Sequence, residues 1–374
     1  MKILINAVSA RAGGGVSYLL NLLQILPRIA PEFEILAVVP DNVLPNPFIY
    51  PKNLEIKIIR AASGNVFKRF LWENTELIKL CREWQADLLF CVANVIPLRK
   101  PPCQVVVIIQ NVAPFTPRVF KQLKRFEPIT DLLRMYLLKI LGNFAIRNSD
   151  QVISLSHATA RLLKKFTNKK SEVLYHGISD NFSPEHTKSN SSIVGPYFLY
   201  VSNLYVYKGL EYIIEALQTD PELPAVYVAG YEYDKGYMQW IRQLIEKADL
   251  QKKIVFLNSV SQKDLPTWYA NAAALVYPSW CENCPNILLE AMGCGCPIVA
   301  MDIGPMPEIA GEVGFFARPF DGKSLAEQMK KALLEGQQKK SLAIARARLF
   351  TWNKSMKSHK EIFMKVLKAK KDQA

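Results

Sequence analysis

The chain has 374 residues, half of them hydrophobic, and carries a formal net charge of +14. That length accommodates two domains of ordinary size, and the composition excludes a disordered chain. No apolar run reaches the roughly 18 residues that a membrane-spanning helix needs, so no spanning helix is expected in this sequence.

Residues 3–8 read as a first β-strand. A signal peptide is disfavoured because the apolar core is short and Arg11 and three glycines follow at once. Gly13-Gly14-Gly15-Val16-Ser17 comes directly after that strand and opens a helix. Glycines there let the backbone adopt positive φ and approach a phosphate or sugar closely, although a plain tight turn uses the same residues. The pattern is not G-x-G-x-x-G with an acidic partner, so an NAD-type site is disfavoured.

Further strands are expected at 35–39, 56–59, 88–91, 105–109 and 151–155, alternating with helices at 16–26, 73–84, 129–147 and 158–166. This alternation predicts a parallel α/β sheet. Cys91-Val92-Ala93-Asn94 and Gln110-Asn111 end two of these strands on the same side. The polar, helix-poor stretch around 188–196 reads as a linker between a first domain, 1–187, and a second, 197–350. The second domain repeats the pattern, with strands at 197–201, 225–229, 254–257, 274–277 and 297–300, and a lysine-rich helix closes the chain over 351–374.

The charge is uneven. Residues 1–187 hold 24 Lys and Arg against 14 Asp and Glu, the remainder 23 against 19. In the first half Lys68, Arg69, Arg99, Lys100, Arg118, Lys121, Lys124, Arg125, Arg134 and Lys139 interleave with Phe67, Phe70, Leu71, Trp72, Val119, Phe120, Leu123 and Phe126. Basic residues mixed with bulky apolar ones suit an anionic membrane surface, and the competing account is an ordinary solvated helix face. Nucleic acid is not expected as a partner, because no recognition motif accompanies the charge.

The most informative stretch runs from Trp280 to Pro297. Glu282 lies in a loop after a strand end, Glu290 follows about two helical turns along, and Gly293 and Gly295 close the segment. A helix start facing a strand's carboxyl end attracts anions, while two carboxylates beside it need hydroxyls to bind. A nucleotide sugar supplies both. Cys281, Cys284, Cys294 and Cys296 form C-x2-C and C-x-C and invite a zinc site. Buried thiols in a reducing cytoplasm account for them better, since the pairs flank an explained helix and no His lies nearby.

This arrangement resembles the E-x7-E motif of retaining GT-B glycosyltransferases, in particular glycosyltransferase family 4. Phe198-Leu199-Tyr200-Val201-Ser202-Asn203-Leu204 followed by Lys208-Gly209-Leu210 is similar to the start of that family's donor domain. Ile254 to Asn258, Pro266 to Tyr269 and Gly304 to Glu308 follow in the family's order, and Gly13 to Val16 sits at its glycine-rich loop. The resemblance covers about residues 2–350. It implies an α/β GT-B fold of two facing Rossmann-like domains with a deep cleft, the first binding the acceptor and the second the donor. The final helix would then pack back on the first domain.

The resemblance also assigns roles. Lys208 would neutralise the donor diphosphate, where the family usually has a second cation at the position of Asn203. Glu282 would hold the donor sugar's hydroxyls and support an oxocarbenium-like transition state, and Glu290 would take the ribose hydroxyls. Gly14, Gly15, Asn203, Val260, Asn286, Ile287 and Leu288 would complete the donor site. Many relatives carry a His where Gln110 and Asn111 stand. Asn111 can hydrogen-bond but cannot act as a base near neutral pH, which suits a front-face mechanism with retention.

No Asp-x-Asp appears in strand context, so neither metal nor cofactor is expected. The expected activity is transfer of a hexose from a nucleotide diphosphate sugar to a glycan or lipid-linked saccharide, as in O-antigen or other polysaccharide assembly. The enzyme would work in the cytoplasm or at the inner membrane face. A nucleotide-sugar epimerase, or a binding protein that has lost turnover, are the rival readings.

Overall fold

The computed structural model describes residues 1–11, 13–45, 48–60, 66–186, 195–258 and 260–371. Most of the expected linker, 188–196, lies outside these residues, as do Ser259 and the end of the closing helix. The chain divides into two compact units. The first comprises 1–115, 136–176 and 352–374, the second 116–135 and 177–351.

The first unit is built on seven parallel strands, β1 (Lys2–Asn6), β2 (Glu34–Val39), β3 (Leu54–Ile58), β4 (Leu88–Cys91), β5 (Gln104–Ile109), β6 (Gln151–Ser154) and β7 (Glu172–Val173). Their order is β3-β2-β1-β4-β5-β6-β7. Leu88–Cys91 and the valine-isoleucine run of β5 are buried almost throughout, the composition that a parallel sheet covered on both faces requires. The helix Trp352–Lys371 belongs to this unit. It joins an aromatic core in which Tyr18, Phe90, His359 and Phe363 meet. His359 is fully buried, and burial holds its imidazole down to about 4, so it is a neutral core residue that hydrogen-bonds Tyr18 at 2.5 Å.

The second unit repeats the design with β8 (Phe198–Val201), β9 (Val226–Ala229), β10 (Ile254–Asn258), β11 (Ala274–Tyr277), β12 (Ile298–Met301) and β13 (Gly314–Ala317) in the order β10-β9-β8-β11-β12-β13. Residues 116–135, placed by sequence within a first domain of 1–187, group with this unit instead. The cause is side-chain packing. Phe126 stacks against Trp240 at 4.9 Å, Tyr237 N–H donates to the Glu127 carboxylate at 3.1 Å, and the Arg118 guanidinium lies 3.6 Å over the Phe320 ring.

Two further differences are local. The helix expected over 73–84 is two helices, Val66–Asn74 and Glu76–Glu83; the short strands β7 and β13 carried no periodic signal long enough to read, and the amphipathic helix Pro117–Phe126 was not among those expected. In both sheets the strand order reverses beside the first strand, between β1 and β4 and between β8 and β11. Crevices outside the carboxyl ends of the strands at such a reversal are where open α/β sheets bind ligands.

Candidate functional site

At the reversal of the second sheet, Lys208 stands in the loop after β8 and Glu282 in the loop after β11. The first loop is fixed by Gly209, whose φ is +73°. A Cβ there would sit 2.3 Å from the Pro278 carbonyl oxygen, so the position needs glycine twice over. That close approach draws the two loops together. The Lys208 ammonium donates to Glu282 Oε1 in a charge-assisted bond and to the Tyr277 hydroxyl at 2.9 Å. Tyr277 in turn donates to the same oxygen at 2.7 Å, and Ser279 does so at 2.6 Å. Three donors thus meet Oε1, and among the described residues none meets Oε2.

The pair is largely buried, with the two side chains 11% and 12% exposed. Burial by itself pulls the Lys208 ammonium down, but the Glu282 charge and hydrogen bond, together with the surrounding tyrosines, hold it above the usual lysine range. Lys208 is therefore a fixed cation. Tyr277 is buried, which pushes its phenol well above the ordinary value and keeps it a neutral hydrogen-bonding group. Nothing in the residue pattern had singled out Tyr277 or Ser279, because hydroxyl direction at a strand end leaves no periodic trace.

The helix Asn286–Gly293 begins after Pro285, which is extended at φ −73° and ψ 102° and suits a helix entry. Asn286 and Ile287 are half-buried in its first turn. Leu288, also expected at the donor site, has its side chain fully buried, and its N–H donates to the Pro285 carbonyl at 3.0 Å. Glu290 lies further along the helix. Burial pushes its carboxyl up to about 7, against the opposing hydrogen bond that Tyr269 donates to Oε2 at 3.3 Å.

Asn203 is half-buried after β8 and accepts through its carbonyl from the Ser202 hydroxyl at 2.9 Å. It adds no charge to Lys208. Val260 is half-buried, and its neighbour Ser259 lies outside the described residues. Cys281 and Cys294 are buried thiols, each pushed up to about 12 by burial. Among the described residues no three His, Cys, Asp or Glu side chains converge as a metal set.

In the first unit, Gly14 and Gly15 fall inside the first turn of the helix Gly13–Ile29. Gly13 has φ +57°. A Cβ on it would meet nothing within 4 Å among the described residues, and one on Gly15 would only touch Ala10 Cα at 4.0 Å. These glycines leave room rather than fill it. Asn111, after β5, is exposed, and its side-chain oxygen accepts from the Ala113 N–H at 2.9 Å, an Asx turn.

The residue that shapes this loop is the buried Asn94. Its side-chain oxygen accepts from the N–H groups of Gln110 at 2.9 Å and Asn111 at 3.1 Å, while its amide donates to the Asn111 carbonyl. Sequence placed Asn94 at a strand end on the same side as Asn111 without showing that it ties the two ends together.

With this geometry in hand, comparison with known proteins is direct. The model of Glycosyltransferase Family 4 matches residues 12–182, and that of Glycosyl transferases group 1 matches residues 183–348. O-antigen chain mannosyltransferase B of Escherichia coli is 29% identical over 164 residues, which is 42% of this chain. The chain spans under half the length of that curated relative, 42%. Sucrose-phosphate synthase from Thermosynechococcus elongatus has a TM-score of 0.76 at 16% identity, over 99% of this chain and all of that one. Anabaena HepE, solved in complex with UDP, has a TM-score of 0.68 at 18% identity over 98% of this chain and 100% of its own. The fold is therefore GT-B, built on two Rossmann-like sheets.

Proposed function

The chain belongs to glycosyltransferase family 4, and from that premise we propose that it moves a hexose from a nucleotide diphosphate sugar to a glycan or lipid-linked saccharide, with retention, in O-antigen-type polysaccharide assembly. The observation that carries this reading is the Lys208–Glu282 pair at the reversal of the second sheet. The name of the Escherichia coli relative supports mannose as the first hexose to test, and the UDP bound by HepE supports a nucleotide donor.

Lys208 offers its ammonium to the diphosphate, whose charge grows as the bond from the anomeric carbon to the phosphate oxygen breaks. Fixed cation and helix N-terminus take the place of a metal clamp in this reading. Glu282 keeps Oε2 for a sugar hydroxyl, and its charge supports the cationic sugar carbon. The acceptor oxygen bonds to that carbon on the face the phosphate leaves, and its proton passes to the departing phosphate oxygen. Asn111 acts through hydrogen bonding alone. Glu290 meets the ribose hydroxyls.

A thermal-shift screen of nucleotide sugars followed by NMR of the product tests this. A donor that binds only the fold raises its stability, and the product should keep the donor's anomeric configuration. If no nucleotide sugar stabilises the protein, the donor assignment fails; an inverted product removes the retaining mechanism.

We also infer peripheral contact with anionic lipid. No described helix is long and apolar enough to cross a membrane. On the helix Ile129–Asn148, however, Ile129, Leu133, Tyr136, Leu137 and Ile140 are exposed and recur at helical spacing, forming one apolar stripe. Phe67 and Leu71 are exposed one turn apart on Val66–Asn74, beside Lys68 and Arg69. Val119 and Leu123, grouped with them by sequence, are buried and contribute nothing to such a surface. Co-sedimentation with anionic vesicles at low salt should retain the protein, and Leu133→Glu with Leu137→Glu should release it. Equal sedimentation of wild type and variant would remove this contact.

A further inference from the structure

A carboxylic acid that none of the roles above uses lies at the other sheet's reversal. Glu73, near the end of the helix Val66–Asn74, is 5% exposed. Asn6, the last residue of β1, donates its side-chain amide to Glu73 Oε1 at 3.0 Å. Asn6 is itself 5% exposed and pairs in register with Cys91, the last residue of β4. Glu73 is thus held against the two strand ends between which the first sheet changes direction.

Asn6 is the single hydrogen-bond donor that the described residues bring to this carboxyl. Buried carboxylates held only for structure collect several donors, because each unfilled lone pair away from water costs free energy. Burial raises the Glu73 pKa, against the opposing hydrogen bond of Asn6 and the charge of Arg69. The chain leaving β1 leads into the helix Gly13–Ile29, and among the described residues a Cβ on Gly13 would meet nothing within 4 Å. A buried carboxyl with one side-chain hydrogen bond therefore stands at the strand ends where the first sheet reverses, the position at which open α/β sheets bind ligands.

We propose that Glu73, held in place by Asn6, binds a hydroxyl of the saccharide acceptor at the β1–β4 end of the first unit. This rests on the glycosyl-transfer reading. A carboxyl suits the task because it accepts from one or two sugar hydroxyls and offers a diphosphate no attraction. The assignment gives the acceptor unit its own polar anchor, where Asn111 is committed to a turn.

The test compares the full-length protein with Glu73→Gln, which keeps shape and hydrogen bonding, and Glu73→Ala. Three quantities are measured: hydrolysis of the donor in the absence of acceptor, transfer to α-linked mannotetraose, and calorimetric binding of that tetrasaccharide without donor. Thermal melting confirms that each variant folds. Glu73→Ala should raise the tetrasaccharide KM about tenfold or more and weaken its binding in step, with donor hydrolysis unchanged. Glu73→Gln should fall between the two.

A structural role alone would lower the melting temperature without separating acceptor from donor kinetics. Equal tetrasaccharide binding by wild type and both variants, or no saturable binding by wild type, overturns the inference. Absence of any donor turnover in wild type instead overturns the glycosyl-transfer reading, and the calorimetric comparison still decides the role of Glu73.

Discussion

The two sheets reverse direction in the same way but dress the reversal differently. At β8–β11 a cation and an anion from separate loops are locked together by two hydroxyls, so the site is made of fixed charge. Beside β1–β4 the strand ends are held through neutral groups: Asn94 after β4 gathers the backbone of Gln110 and Asn111 after β5, and the acid present, Glu73, is deeply buried and bonded by Asn6. The contrast shows that one topology can present either a preorganised electrostatic clamp or a neutral, shape-defined surface. A diphosphate donor calls for the first, because its charge changes during reaction; a sugar acceptor calls for the second.

The sharpest way to break this contrast is Glu282→Ala. It leaves the Lys208 ammonium buried without its counter-charge, which costs about 3–5 kcal/mol when a buried pair is broken. It also strips electrostatic support from the reaction, for a loss on the order of 100-fold or more in kcat. Denaturant melts and initial rates measure both, and wild-type turnover in the variant would remove Glu282 from the site. Lys208→Ala comes next. Loss of a charged hydrogen bond predicts about 1.5–3 kcal/mol weaker binding of a nucleoside diphosphate by calorimetry.

A smaller change is expected from Asn94→Ala, which orphans two N–H groups and a carbonyl. Stability should fall by about 1–3 kcal/mol and the acceptor KM should rise, with donor hydrolysis held. If donor hydrolysis fell instead, the division of labour between the two reversals would be wrong.

Much of the second unit was legible because its signals are local. Strands 88–91 and 274–277 were read with their observed limits, since parallel strands buried on both faces are continuous apolar runs. Glu282 and Lys208 each stood in a readable loop, but their meeting depends on Gly209 against the Pro278 carbonyl, a contact 69 residues apart that no spacing encodes. Leu288 shows what packing adds: its side chain is fully buried in the first helical turn, which the local pattern does not display. The first sheet's strand ends were hardest, because Asn94 and Glu73 are held by long-range hydrogen bonds while their neighbours read as ordinary strand end and helix.

The mildest probe of the contrast is pH, through Glu290. Its carboxyl is pushed up to about 7, well above the ~4.3 of an exposed glutamate, so the fold holds a proton that the unfolded chain has already released. Its stability contribution is thus fully present below the unfolded value and is lost as pH rises through about 7. Ribose binding needs the other form, since the hydroxyls donate and the carboxylate accepts. Nucleotide affinity should therefore climb a few-fold between pH 6 and 8 while the melting temperature drifts down, and Glu290→Gln should flatten both trends. The opposite signs are what make the test decisive: a general loosening of the second unit would lower affinity and stability together, whereas proton loss from one carboxyl at the donor site separates them.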